Sequence, residues 1–166
     1  MATADLDSLL NSYLRDAHAM ERNVHQMLVS MIATTDDPEI KEGLERHKNE
    51  TERQVERLAG RLEARGEDAS IIKDSAAIMA AFFKGLADLV RTDKAGKNAR
   101  DGYVTEALEI ASYHLLERLA EAAGDADTAQ VARTNRAEEE AMRGAFDSHW
   151  DRFMELVLEE RGVTVS

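Results

Sequence analysis

Four glutamates stand at mirrored distances from two turns. Glu21 lies 13 residues before Thr34 and Glu50 lies 12 residues after Pro38, on either side of the run Thr34-Thr35-Asp36-Asp37-Pro38. Glu109 and Glu139 each lie 15 residues from Gly124. In a helical hairpin, residues equidistant from the turn sit at the same height on the facing helices. Two hairpins, each with glutamates at mid-height on the inner side, make a ring of carboxylates inside a bundle. Helical bundles hold carboxylate-bound metal pairs in this way.

The surrounding residues say which acids point inward. Glu21 continues the line Leu14, Glu21, Leu28 and sits between Ala17 and Val24. The next inward stripe reads Ile40, Leu44, His47, Thr51, Val55, Leu58, Leu62, with Glu50 and Gln54 along its edge. Thr105, Glu109, Ser112, Leu116 and Leu119 share a third face, and Glu106 lies one turn before Glu109. A fourth face carries Val131, Asn135, Glu138, Met142, Ala145, His149 and Phe153, with Glu139 beside Glu138, so either of that pair can be the inward acid. Uncompensated buried carboxylates cost several kcal/mol each or take up a proton. A bound divalent pair removes that penalty, with Glu50 or Glu139 as the simplest bridge.

Imidazoles and a phenol add to the set. His18, Glu21 and His25 share one helical face, and His47 precedes Glu50 by three residues. His25 and His47 share a level nearer the first turn, whereas His114 falls on the opposite side of the carboxylate level. His149, eleven residues past Glu138, is about 16 Å farther along its helix, too far to ligate the same ions. Tyr113, four residues after Glu109, is expected to donate a hydrogen bond to that carboxylate.

These side chains need five helices to place them. Asp5 or Asp7 caps a first helix reaching about Ala33, and Asp37-Pro38 starts a second that stops before Gly66. A periodic segment from about Ser70 to Arg91 is long enough to carry the chain back along the bundle, the long crossover of a ferritin-like fold. A fourth helix runs from about Ala99 to Ala123, and Asp125 or Asp127 caps a fifth that continues to about Glu160. The expected architecture is an all-α, ferritin-like four-helix bundle whose crossover contains an additional helix. It forms one domain spanning 1–166, with no linker to divide it.

Composition narrows the chemistry. The 166 residues include one Pro, no Cys and eight aromatic side chains, a helix-forming balance. Without Cys there is neither a disulfide nor thiolate ligation, so a metal must sit on carboxylates and imidazoles, which suits Fe, Mn or Zn. The formal charge of −12 disfavours nucleic acid and anionic membranes as partners and concentrates cations. The most apolar stretch, Ala76 to Val90, is broken by Lys84 and Asp88. A cytoplasmic protein without membrane spans is expected. Adjacent Phe82 and Phe83 offer more aromatic surface than one face can bury, which points to a homodimer.

The motifs resemble a known family. Leu14-Arg15-Asp16 followed by Glu21, then His47-x-x-Glu50-Thr51-x-x-Gln54-Val55-x-Arg57-Leu58, is similar to the YciE/YciF-type ferritin-like family of bacterial stress proteins. Glu106-x-x-Glu109-Ile110-Ala111-x-Tyr113 and the Glu138-Glu139 pair continue the likeness in order, over roughly residues 6 to 147. The resemblance implies a ferritin-like bundle, a di-metal site with iron as the first expectation, and dimerisation. It places Glu21, His47, Glu50, Glu106, Glu109 and Glu138 or Glu139 on the family's acidic and imidazole positions. The chain departs from it at Ala107, where the family carries a His, and at His18, where it carries a Tyr. The Glu-x-x-His pairs of di-iron bundles are absent too, since Arg53 follows Glu50 and Met142 follows Glu139 at plus three.

Two functions follow from this reading. One is a metal-binding, redox-capable bundle whose open coordination position admits oxygen or peroxide. The other is a metal-free scaffold that kept the fold and lost the chemistry, which the Ala107 and Met142 departures favour. Iron storage is a weaker third, since no cage-forming surface is visible.

Overall fold

The computed structural model describes residues 2–67 and 94–165, with side chains from Asp5 onward. Five α-helices account for nearly all of these residues: α1 (Ala2–Ala33), α2 (Pro38–Ala64), α3 (Lys94–Ala123), α4 (Ala126–Ser148) and α5 (Trp150–Arg161). The expected crossover helix over about 70–91, with Phe82 and Phe83, lies outside the described residues.

Helices α1 and α2 pack as one hairpin and α3 and α4 as another; α1 also lies on α3 and α2 on α4, closing a four-helix square. Arg65, at the end of α2, reaches Asp125 in the α3–α4 turn at 2.8 Å. Ala95, at the start of α3, borders the same cavity as Asp37 in the α1–α2 turn. Helices α2 and α3 therefore run in the same direction. The apolar core fills both ends of the square, from Leu10, Leu14, Leu58 and Leu62 at one end to Leu28, Met31 and Leu44 at the other.

The turns follow from their residues. Asp37 accepts hydrogen bonds from the Glu39 and Ile40 backbone N–H groups at 3.1 and 3.0 Å, with Pro38 opening the helix. Of the two candidate caps for α4, Asp125 serves: it accepts from the Thr128 N–H at 2.9 Å. Gly124 turns the chain at φ 73°, a left-handed backbone that favours glycine.

Three boundaries differ from the sequence reading. Helix α1 already begins at Ala2, so Asp5 sits in its first turn instead of capping it. Helix α3 begins at Lys94, ahead of the expected Ala99, because α5 packs on this stretch: a Cβ on Gly96 would lie 2.7 Å from Val157. The long final helix is broken at His149. The His149 ring Nδ1 lies 2.6 Å from the Ala145 carbonyl oxygen, and the Ser148 hydroxyl donates to the same oxygen at 2.8 Å. That carbonyl would otherwise accept the His149 backbone N–H, which bonds to Phe146 at 3.0 Å instead, so the helix bends.

The bend turns α5 back over α3, where Phe146 and Phe153 stack at 6.0 Å and Trp150 packs on Tyr103 at 5.6 Å. Gly102 makes room for this cluster, since a Cβ there would lie 2.5 Å from the Phe146 ring. Gly102→Ala should therefore lower stability by about 1–3 kcal/mol through overpacking. Gly60→Ala, in open space on α2, should raise it by about 0.5–1 kcal/mol. Paired thermal melts check both signs; a Gly102→Ala protein as stable as the parent would remove Phe146 from this contact.

Candidate metal centre

Midway along the square the core changes from apolar to polar. Glu21, Glu109 and Glu139 are 0% exposed, Glu106 and His47 1%. Ligand atoms of His47, Glu106, Glu109 and Glu139 all lie within 4.8 Å of one another, so these four could hold a metal ion. They come from α2, α3 and α4, and Glu21 enters from α1. Each helix places its acid, or on α2 its imidazole, where the heptad pattern would put an apolar side chain. Thr51 and Thr105, in the same layer, donate to carbonyls of their own helices at 3.1 and 2.8 Å and make no claim on the acids.

His47 faces two ways. Its Nε2 lies 3.3 Å from Glu106 Oε1 and 3.6 Å from Glu139 Oε2, while its Nδ1 lies 3.6 Å from Glu50 Oε2. Glu50 stands at the rim of the layer with its side chain 36% exposed and does not join the buried four. Of the Glu138-Glu139 pair, Glu139 points inward. Glu138 turns outward onto Arg57, whose Nη2 donates to both of its oxygens at 3.0 and 2.7 Å.

The buried acids are held by neutral donors. The Tyr113 hydroxyl donates to Glu21 Oε1 across the helix interface, not to Glu109 as its spacing suggested. The length of the phenol carries the hydroxyl past its own helix, and Asn135 Nδ2 donates to it at 2.9 Å. Gln54 Nε2 donates to Glu139 Oε1 and, at 3.0 Å, to Glu138 Oε2. In each case one carboxylate oxygen is fixed and the other is left unpartnered: Oε2 of Glu21 and Oε2 of Glu139. Both oxygens of Glu109 and Oε2 of Glu106 are also buried without a partner. Among the described residues no arginine or lysine pairs with any of these four acids.

Gln54 and Asn135 are the functional side chains that the sequence left unassigned. Their signal was a carboxamide on an otherwise apolar helical face, one turn from an acid. The other imidazoles stay out of the cluster. His25 Nε2 lies 2.9 Å from Glu52 at the surface, and His114 lies 3.1 Å from Arg136. His18 is buried on α1 with its Nδ1 unpartnered.

Burial without cations shifts these groups. It pushes the Glu21 carboxyl up to about 7, against the Tyr113 hydrogen bond that lowers it. Burial, with the charges of Glu21 and Glu106, pushes Glu139 up to about 10. Burial and then the charges of Glu139 and Glu21 hold Glu109 well above the carboxylate range. For His47, burial is the largest single influence and lowers its pKa. The combined pull of Glu106, Glu50 and Glu139 outweighs it and raises the imidazole well above its ordinary value.

Residues 5–159 match the model of a family described as a domain of unknown function, DUF892. The chain belongs to this family. A solved protein from Xanthomonas campestris pv. campestris shares 27% identity at a TM-score of 0.80, covering 96% of this chain and 99% of that one. The E. coli stress protein YciF superposes at a TM-score of 0.72 with 19% identity, covering 96% and 98%. YcfI from Rhodopseudomonas palustris superposes at 0.70 with 24% identity, covering 86% and 92%. The YciE/YciF-type resemblance read from the motifs and the all-helical fold both hold. No helix among the described residues is long and apolar enough to cross a membrane.

The shifts fix how metal-free protein responds to pH. Folded Glu21, Glu109 and Glu139 keep protons that the unfolded chain releases near pH 4.5, so the folded state binds more protons above that pH. Stability must then fall as pH rises, through about 7 for Glu21 and about 10 for Glu139. The slope is about 1.4 kcal/mol per pH unit for each such group. Asp125, lowered to about 2 by Thr128, Arg65 and Arg61 against its burial, acts oppositely, and its contribution is lost only as pH falls toward 2. Chelator-treated protein should melt highest between about pH 4 and 5 and progressively lower toward pH 9. Melting temperatures that stay level or climb over that range would show that the acids are not buried uncompensated.

Proposed function

We propose that this protein is a metal-binding bundle with a carboxylate-bridged di-metal centre, iron being the first candidate and manganese the second. The observation that carries the reading is the set of inward oxygens without partners, on carboxylates that no guanidinium or ammonium among the described residues neutralises. Hard oxygen donors with one imidazole suit Fe(II) or Mn(II). His47, Glu106, Glu109 and Glu139 would hold one ion, and Glu21 with Glu109 the other. Glu109 would be the ligand shared by both, because neither of its oxygens accepts from a tyrosine or carboxamide as one oxygen of Glu21 and one of Glu139 does. Glu50 receives the Nδ1 side of His47, an outer carboxylate orienting an imidazole ligand.

When bound, such a pair supplies one-electron redox chemistry and a coordination position for oxygen or peroxide. The chain's own contribution is to fix the carboxylates through Tyr113, Gln54 and Asn135 and to keep the layer dry. A role in oxidative or other stress fits that chemistry. A cytoplasmic homodimer belongs to the same reading.

One observation favours a metal-free alternative. The His47 imidazolium, with protons on Glu21, Glu109 and Glu139, can neutralise the four buried acids without a metal. The two readings separate on metal content. Protein purified without chelator should carry roughly two ions per chain by elemental analysis. Added Fe(II) at about a hundredfold over its Kd should stabilise the fold by about 2.7 kcal/mol, reversed by EDTA. Glu109→Gln should lose both ions and Glu21→Gln one, while each metal-free variant melts higher than the metal-free parent at pH 8. Protein free of metal and indifferent to Fe(II) and Mn(II) would establish the alternative.

A further inference from the structure

At the end of the bundle that carries the α1–α2 turn, an apolar cavity of about 170 Å³ opens between that turn, the first turns of α3, and α5. Its walls are Met31, Ile40, Leu44, Phe146, Phe153 and Leu156. Leu44 and Phe146, 2% and 4% exposed, close its inner end. Leu44 is one helical turn from His47 and Phe146 two turns from Glu139, so the floor lies just below the carboxylate layer. An apolar cavity of about 150 Å³ excludes water and accepts a benzene-sized molecule. The volume here fits one aromatic ring or a short alkyl chain.

The mouth has the opposite character and a definite sign. Asp36, Asp37, Glu159 and Glu160 border it. Two helix N-termini open toward it, and carboxylates already occupy both: Asp37 caps α2, and Glu160 Oε1 accepts from the Ala95 N–H at 3.2 Å. Among the described residues the lining holds four carboxylates and no cationic side chain, and Arg152 beside it pairs with Asp37 at 2.7 Å and lies 3.4 Å from Glu159. An organic anion is repelled there and a neutral ring gains nothing from the rim. A cation is attracted, and the chain's overall charge of −12 reinforces the preference.

We propose that this cavity is a binding site for a small organic cation, a primary amine on a single ring or short alkyl chain. The apolar part rests on Leu44 and Phe146, and the ammonium sits among the carboxylates of the rim. The site needs no metal, so it stands or falls apart from the reading of the carboxylate layer. Ligand-observed saturation-transfer NMR on the chelator-treated full chain tests it with three probes of similar size: phenethylamine, phenylpropionate and toluene. Phenethylamine should bind in the millimolar range, several-fold tighter than toluene, with phenylpropionate giving no transfer. Leu156→Trp, which fills the cavity from its half-buried wall, should abolish the phenethylamine signal. The double variant D36N/E160Q should keep toluene binding and weaken phenethylamine several-fold, a difference that simple unfolding cannot produce. Equal transfer to phenylpropionate, no transfer to phenethylamine, or an undiminished phenethylamine signal in a folded Leu156→Trp protein would overturn the proposal.

Discussion

Carboxylates at zero exposure in an otherwise apolar core, with no guanidinium among the described residues to answer them, are the constraint around which the bundle is built. Each such group left ionised would cost several kcal/mol, a large share of a domain's net stability. Three means of neutralisation exist: protons on the acids, the imidazolium of His47, or cations from outside. The first two are available to the chain itself and explain why it can fold at all. They also define what a metal ion would have to displace, the protons that burial holds on these acids.

Guanidinium groups are abundant in this chain and are spent elsewhere. Arg61 and Arg65 converge on Asp125, Arg133 and Arg136 on Glu117, Arg152 on Asp37, and Arg57 on Glu138. Isolated surface pairs contribute about 0–1 kcal/mol each. Several of these instead tie different helices together: Arg61 and Arg65 join α2 to the α3–α4 turn, and Arg152 joins α5 to the α1–α2 turn. The square is thus clamped at both ends and along the edge where Arg57 meets Glu138. A frame held in this way opposes the splaying of the helices that repulsion among the four closely spaced acids would favour.

Mirrored spacing about the two turns brought out Glu21, Glu109 and the Glu138-Glu139 pair, because hairpin geometry alone fixes their heights. It left Glu138 and Glu139 undecided, since the rotation of a helix about its axis depends on what packs against it. The bulky residues Val131 and Met142 suggested one face for α4, yet its buried face carries Ala129, Ala132, Asn135 and Glu139. Small side chains let α3 and α4 approach closely, and that contact, invisible to a pattern weighted by size, turns Glu139 inward. Glu50 illustrates the same limit on α2, where Gln54 lies fully buried and Glu50 is left at the rim. The break at His149 depends on a side chain competing for a backbone carbonyl, an event that leaves no periodic trace.

The means of holding the acids distinguishes this layer from an ordinary buried ion-pair network. An arginine would fix a carboxylate and cancel its charge in one step. Tyr113 and Gln54 fix Glu21 and Glu139 through one oxygen each while leaving the negative charge, or the proton that masks it, in place. The free oxygens then need little rearrangement to receive a cation, which is the condition for tight binding by a rigid site. The remaining competitor is the proton. Because burial raises the affinity of Glu21 and Glu139 for protons into the range of about 7 to 10, any cation that enters must displace them. Occupancy by a metal would thereby be tied to pH through the same burial that creates the demand for positive charge.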